Sequence, residues 1–299
     1  MRIFVTGAEG QLARALREAG AQRGFDVTAI GRPTLDLTRG ADCHAMIAAA
    51  KPDVVVNAAA YTAVDRAESE PAAAHAVNAD GAGAVAQAAK ALGVPLIHIS
   101  TDYVYDGSLA RPYIETDALQ PLGVYGASKL AGEQAVTAAG ADHAILRTAW
   151  VYSPFGANFV RTMLRLAESR AEISVVADQI GSPTSALDLA DAALRVAGNL
   201  VQAPGDKNLR GVFHFAGAGE ASWADFASEI FVISARLGGA RARVIPITTA
   251  QYPTPARRPA NSRLDTYRIR AVHGVTPLDW RVALEACLRR LIVSPKENS

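Results

Sequence analysis

The sequence predicts an α/β fold, a doubly wound parallel sheet carrying a smaller C-terminal portion. Three observations predict it. A buried strand at residues 3–5 runs straight into a glycine turn and then a helix. Short apolar runs alternate with helical segments through the first half of the chain. After Trp150 that rhythm breaks into proline-rich, irregular stretches.

The opening, Thr6-Gly7-Ala8-Glu9-Gly10-Gln11-Leu12-Ala13, sets Gly7 and Gly10 between the first strand and a helix running from Gln11 to about Arg23. There a glycine turn lets the backbone approach a pyrophosphate, which rests on the positive helix N-terminus. The spacing is Gly-x-x-Gly-x-x-Ala. Ala13 takes the third position, where helix and strand pack closely, and its methyl group is small enough. We read a dinucleotide site of Rossmann type.

Further strands are expected at 27–30, 54–57, 95–99, 144–147 and 212–215, and helices at about 42–50, 71–92 and 125–139. Strands that are apolar throughout are buried on both faces, as in a parallel sheet covered by helices on both sides. The dinucleotide-binding domain is accordingly assigned to residues 1–152 and 190–217. A substrate-binding portion is assigned to 153–189 and 218–299, with 295–299 as a frayed tail.

Composition sets limits. A chain of 299 residues, 50% hydrophobic, can bury a sizeable core. Its formal net charge of +1 creates no strong field for nucleic acid or a membrane surface. Cys43 and Cys287 form neither a disulfide framework nor a metal-ligand spacing, and His44, His75, His98, His143, His214 and His273 are scattered. The chain shows no signal-peptide pattern and no apolar run near the roughly 20 residues that cross a bilayer. The expectation is a soluble cytoplasmic protein with no metal site.

The chemistry centres on Tyr125-Gly126-Ala127-Ser128-Lys129 and on Thr101 in Ser100-Thr101-Asp102. Tyr125 and Lys129 share one helical face, about 5–6 Å apart at Cβ. An ammonium there lowers a phenol from its ordinary value of about 10, and a phenol so tuned exchanges a proton with a carbonyl oxygen. The Thr101 hydroxyl would bond the same oxygen.

Other segments bear on the ligands. Arg32 follows the second strand, where arginine accommodates a 2′-phosphate and an acid binds a 2′-hydroxyl. It favours NADPH, or else it is a solvated surface arginine. Asp36 and Leu37 are near enough in sequence to reach the adenine. Asn57-Ala58-Ala59-Ala60-Tyr61-Thr62 ends a strand with small side chains, leaving room for a ligand or for tight helix packing. Arg257 and Arg258 lie in a proline-rigid loop, either as a phosphate clamp or as a solvated pair. Trp150 and Tyr152 are either a stacking wall or core.

Together these motifs resemble the extended short-chain dehydrogenase/reductases. The longer runs Asn57 to Glu68, Ser100 to Gly107, Tyr125 to Glu133, Arg147 to Tyr152 and Tyr252 to Ser262 are similar to the dTDP-4-dehydrorhamnose reductase family, over nearly the whole chain. The resemblance implies reduction of a 4-keto dTDP-sugar to dTDP-β-L-rhamnose, a precursor of bacterial cell-surface polysaccharide such as lipopolysaccharide O-antigen. It implies NADPH as reductant, NADH accepted by some members, and a homodimer. By the same resemblance Tyr125 is the proton donor, Lys129 holds the nicotinamide ribose and Thr101 polarises the carbonyl. Gly7, Gly10, Gln11, Leu12, Asp36, Leu37, Ala60, Tyr61 and Thr62 contact the cofactor, and Asp102 and Trp150 face the sugar nucleotide. Some members bind Mg²⁺ through glutamates at a dimer contact. One of these would fall where this chain has Ala15, so no magnesium site is carried over.

Two other functions share these motifs. A nucleotide-sugar 4,6-dehydratase would need Thr-Asp-Glu, and this chain has Tyr103 in place of the glutamate. The regulatory subunit of methionine adenosyltransferase is a non-catalytic NADP-binding relative, against which the intact Thr101/Tyr125/Lys129 set argues.

Overall fold

The structure is a computed structural model and describes residues 1–293. The tail expected at 295–299 lies outside them. Six strands, all paired in parallel, form the central sheet: β1 (Arg2–Thr6), β2 (Asp26–Ile30), β3 (Val54–Asn57), β4 (Leu96–Thr101), β5 (His143–Thr148) and β6 (Gly211–His214). Their order is β2-β1-β3-β4-β5-β6. The winding reverses between β1 and β3, and a ligand crevice opens beyond the carboxyl ends at that point.

Each expected strand is present, displaced by at most a residue or two. Successive strand residues serve opposite faces. Ile3, Val5, Val54, Val56, Ile97, Ala144 and Leu146 pack against helices α1 (Gln11–Gln22) and, from later in the chain, Ala186–Gln202. Phe4, Val55, Leu96 and Ile145 face the opposite layer, built from α2 (Gly40–Ala50), α3 (Gly81–Leu92) and α4 (Val124–Ala139). Hence the strand sequences read as unbroken apolar runs.

The stretch expected as one helix over 71–92 contains a π-helical turn, Ala76–Asp80, between Pro71–His75 and α3. The wider turn has no signature in hydrophobic spacing. It buries Asn78, whose backbone oxygen lies under Gly132 of α4.

A second core lies beyond Trp150. Strand Glu172–Val176 pairs in parallel with Arg243–Ile247, and α5 (Phe159–Ala167), α7 (Trp223–Arg236) and α8 (Trp280–Ile292) pack around Phe226, Ile230, Trp280 and Leu284. The intervening α6 (Ala186–Gln202) belongs to the sheet's own core. So do Ile269 and Val275, from the stretch assigned by sequence to the smaller portion. The proline-rich segment is strapped to the loop after β4. Asn261 donates to the carbonyls of Leu109 and Arg111 at 2.7 and 2.8 Å, and a Cβ on Gly107 would meet Pro259 Cβ at 2.5 Å. Among the described residues no helix is long and apolar enough to cross a membrane.

The seat of α4 on the π turn is tight. A Cβ on Gly132 would lie 2.1 Å from the Asn78 carbonyl oxygen. Gly132→Ala should therefore destabilise the fold by about 1–3 kcal/mol through overpacking. A thermal midpoint unchanged from wild type would show that the two segments separate freely.

Candidate active site

Three backbone features open the crevice between β1 and β3. Gly7 has φ 91°, a left-handed value that disfavours any side chain, and its Cα side presses on Ala59. Gly10 caps α1 with open space around it, and neither a capping side chain nor an acidic residue occupies the first turn. The first amides of α1 are thus left for an anion. Thr6 fastens the two strand ends: its hydroxyl donates to Asn57 Oδ1 at 2.6 Å and accepts from the Ala59 amide at 3.1 Å.

Tyr125 sits in the first turn of α4 and meets the end of β4. Its hydroxyl lies beside that of Thr101, which donates to Asp102 Oδ1 at 2.9 Å and accepts from the Tyr103 amide at 3.2 Å. Tyr103 stands edge-on to the Tyr125 ring, 5.4 Å between centroids. Glu68 accepts from the Val124 amide at 2.9 Å and so caps α4 one residue before Tyr125. Asn78, from the π turn, accepts from the Tyr61 amide at 2.7 Å and donates to Ser128 Oγ at 2.9 Å. It thereby ties the 57–62 segment to α4.

Burial pushes the Tyr125 phenol up to about 12; the Thr101 hydroxyl opposes that rise and the Asp102 charge adds to it. Burial also lowers Lys129 to about 8, against the pull of Glu133. The sequence expectation that Lys129 depresses the phenol is therefore corrected. Its ammonium donates to the Ile99 carbonyl at 2.7 Å, and burial governs the phenol instead.

The comparisons with known proteins fit this geometry. Residues 1–293 match the family described as RmlD substrate binding domain. The chain belongs to the RmlD family. The dTDP-4-dehydrorhamnose reductase of Sinorhizobium fredii is 48% identical over 99% of this chain and 100% of its own. A solved dTDP-4-dehydrorhamnose reductase from Clostridium acetobutylicum superposes with a TM-score of 0.89 at 38% identity, covering 97% of this chain and 99% of that one. The Bacillus anthracis enzyme, solved in complex with NADP, gives 0.87 at 36% identity and covers 96% and 98%.

Within this RmlD-family chain the expected residues separate into groups. Thr101, Asp102 and Tyr125 meet at the end of β4, with Lys129 one turn deeper in α4. Gly7, Gly10 and Gln11 follow the carboxyl end of β1, and Ala60, Tyr61 and Thr62 follow that of the neighbouring β3. Gln11 also accepts from Ser153 Oγ at 2.8 Å and Asn158 Nδ2 at 3.0 Å, fixing the loop after β5. Leu12 and Leu37 bury their side chains in the core, so only their backbones are available to a ligand. Asp36 accepts from Thr38 in a local turn that holds its carboxyl below the ordinary range. Arg32 is exposed. Ala15 is fully buried, and among the described residues no group of three or more acidic, His or Cys side chains is placed to hold a metal.

The paired residues part company. Tyr152 is core, whereas Trp150 is half-buried at φ 49° and stacks on Trp223 at 3.6 Å. A left-handed tryptophan is strained, and such strain gathers at functional positions. Arg258 forks onto both Asp65 oxygens at 3.1 and 2.9 Å and donates to Thr254 Oγ1 at 2.5 Å, while Arg257 is exposed. Sequence reasoning assigned no role to Asp65, Glu68, Asn78, Tyr103 or Glu133. All but Asn78 lie inside runs already matched to the family. Asn78 had no signal, because a π turn leaves no mark on the pattern.

Asp102 is buried with Oδ2 lacking any partner among the described residues. Burial raises its carboxyl to about 6, and the hydroxyls of Ser262 nearby and of Thr101, which donates to Oδ1, only partly offset this. The folded chain thus holds that proton more tightly than the unfolded one, so this group's contribution to stability falls as pH rises from about 4 to about 6. Asp102→Asn should be more stable than wild type above pH 6, by about 3 kcal/mol at most, and no more stable at pH 4. Denaturant titrations at both pH values check this, and an equal difference at each would refute it.

Proposed function

We propose that this chain reduces dTDP-4-dehydrorhamnose to dTDP-β-L-rhamnose with NADPH. The observation that carries the reading is the two neighbouring hydroxyls of Thr101 and Tyr125 at the end of β4, beside a buried carboxylate oxygen without a partner among the described residues. A 4-keto sugar presents a carbonyl oxygen that needs two donors and a neighbouring hydroxyl that needs an acceptor. Family membership and near-complete coverage support the same substrate.

The cradle fits the cofactor. The uncapped N-terminus of α1 and the bare Gly10 take the pyrophosphate, with Ala60, Tyr61 and Thr62 alongside. When bound, NADPH supplies the hydride for C4. Tyr125, protonated throughout the neutral range because burial raises its phenol to about 12, gives its proton to the C4 oxygen. Thr101 donates to the same oxygen and stabilises charge as it develops there. Lys129, whose ammonium donates to the Ile99 carbonyl, would hold the cofactor ribose. Asp102 accepts from a sugar hydroxyl, and Trp150, with Arg257 and Arg258 in the strapped loop, bounds the sugar-nucleotide side. Tyr103 supports reduction over dehydration, because it stands where the dehydratase motif Thr-Asp-Glu carries its glutamate acid.

Tyr125→Phe should bind NADPH nearly as well as wild type and turn over about 10²–10⁴-fold more slowly. NADPH oxidation with enzymatically generated dTDP-4-keto-6-deoxy sugar measures this, and a rate within threefold of wild type would remove Tyr125 as donor. No oxidation by the wild-type chain would remove the function itself.

Arg32 is exposed at the end of β2, the position that reads the 2′-substituent. A charge-assisted hydrogen bond is worth about 1.5–3 kcal/mol, so Arg32→Ala should weaken NADPH about 10–150-fold and leave NADH nearly unchanged. Equal changes for the two cofactors, or none, would mean that Arg32 does not select the phosphate.

A further inference from the structure

Tyr125, Lys129 and Glu133 occupy successive turns of one face of α4. Each meets the sheet differently: Tyr125 at Thr101, Lys129 at the Ile99 carbonyl, and Glu133 inside the core. Glu133 is 4% exposed and Arg147 of β5 is 2% exposed. The guanidinium forks onto the carboxylate, Nη2 to Oε2 at 2.6 Å and Nε to Oε1 at 2.9 Å. Ser100, the residue before Thr101, donates to the same Oε1 at 2.5 Å. Arg147 Nη1 then donates to the Tyr105 hydroxyl at 2.7 Å, and that hydroxyl bonds His214 Nε2 at 2.8 Å. A buried ion pair is seldom retained for stability alone, since apolar groups of like volume serve as well.

We infer that Glu133 and Arg147 are positioning residues for the reaction proposed above, a buried charge pair that sets the seating of α4 on β4 and thereby the placement of Lys129 and Tyr125. The inference rests on that functional reading for its role, though not for its charge effect. Glu133 is the charged group on α4 that favours the Lys129 ammonium, and Arg147 of β5 is the cation paired with that carboxylate. The remaining groups are otherwise engaged. His98 on β4 is buried and held neutral. Asp102 and Tyr103 act on the phenol from the turn after β4. Glu68 is spent on the Val124 amide, Glu70 on Tyr61 and Arg66, and Lys90 on the Ala139 carbonyl. His75 is half-buried and Asp80 exposed on the segment leading into α3.

The charges give opposite signs. Removing the Glu133 charge disfavours the ammonium and favours the phenolate, so both groups lose protons at lower pH. Removing the Arg147 charge does the reverse. Glu133→Gln should move the alkaline midpoint of kcat/KM down by about one pH unit, and Arg147→Gln should move it up by a similar amount. The double variant Glu133→Gln/Arg147→Gln, neutral again at the pair, should return the midpoint to within about 0.3 of wild type while kcat stays reduced. NADPH affinity measured against pH gives the same readout without sugar nucleotide, so a failure of the substrate assignment is recognised separately. Midpoints unmoved in both single variants, or moved in the same direction, would make the pair structural only. Should Arg147→Gln fail to fold, Glu133→Gln alone decides, because a midpoint unmoved or raised there would overturn the charge account; should Glu133→Gln fail, Arg147→Gln decides by the opposite sign.

Discussion

The seating of α4 on the ends of β4 and β5 is the constraint on which the rest of the site depends. Tyr125 and Lys129 are useful only if the helix that carries them holds a fixed distance from Thr101. That distance is set from both sides. On the sheet side, buried polar bonds from Lys129 and Glu133 reach Ile99, Ser100 and Arg147. On the outer side, Gly126 and Gly132 let backbone carbonyls of Tyr103 and Asn78 approach where a Cβ would collide. Glu68 caps the first turn. Apolar packing alone would tolerate sliding by a few tenths of an ångström, whereas directional bonds to a buried guanidinium do not.

The second consequence concerns charge. Burial that fixes geometry also shifts protonation: it raises Tyr125 and Asp102 and lowers Lys129. A phenol that keeps its proton at neutral pH suits a donor, and a lysine near 8 is still mostly an ammonium there, so it can meet an anionic cofactor as a cation.

Much of this was legible in the sequence. The strands were readable because parallel strands buried on two faces have no polar alternation, and Val54-Val55-Val56 is the plainest case. The glycine turn and the Tyr125/Lys129 spacing were readable because backbone approach and helical periodicity each demand particular residues at particular offsets. What stayed hidden depends on contacts far apart in sequence. Nothing near Arg258 announces that it forks onto Asp65, and nothing near Glu133 announces Arg147 or Ser100. The π turn at Ala76–Asp80 is invisible to a pattern of small apolar residues that fits an uninterrupted helix equally well. Tyr152 and Trp150 could not be told apart either, since both are aromatic residues just past a strand end and only the packing separates core from wall.

The central claim is that Thr101 and Tyr125 act on one oxygen as a single unit. A double-mutant cycle on single-turnover NADPH oxidation, with Thr101→Val, Tyr125→Phe and the pair together, tests it most directly. The account predicts that Tyr125→Phe alone removes most of the rate and that adding Thr101→Val costs less than threefold more. Losses that simply multiply would mean that the two hydroxyls serve separate steps, and would contradict the account.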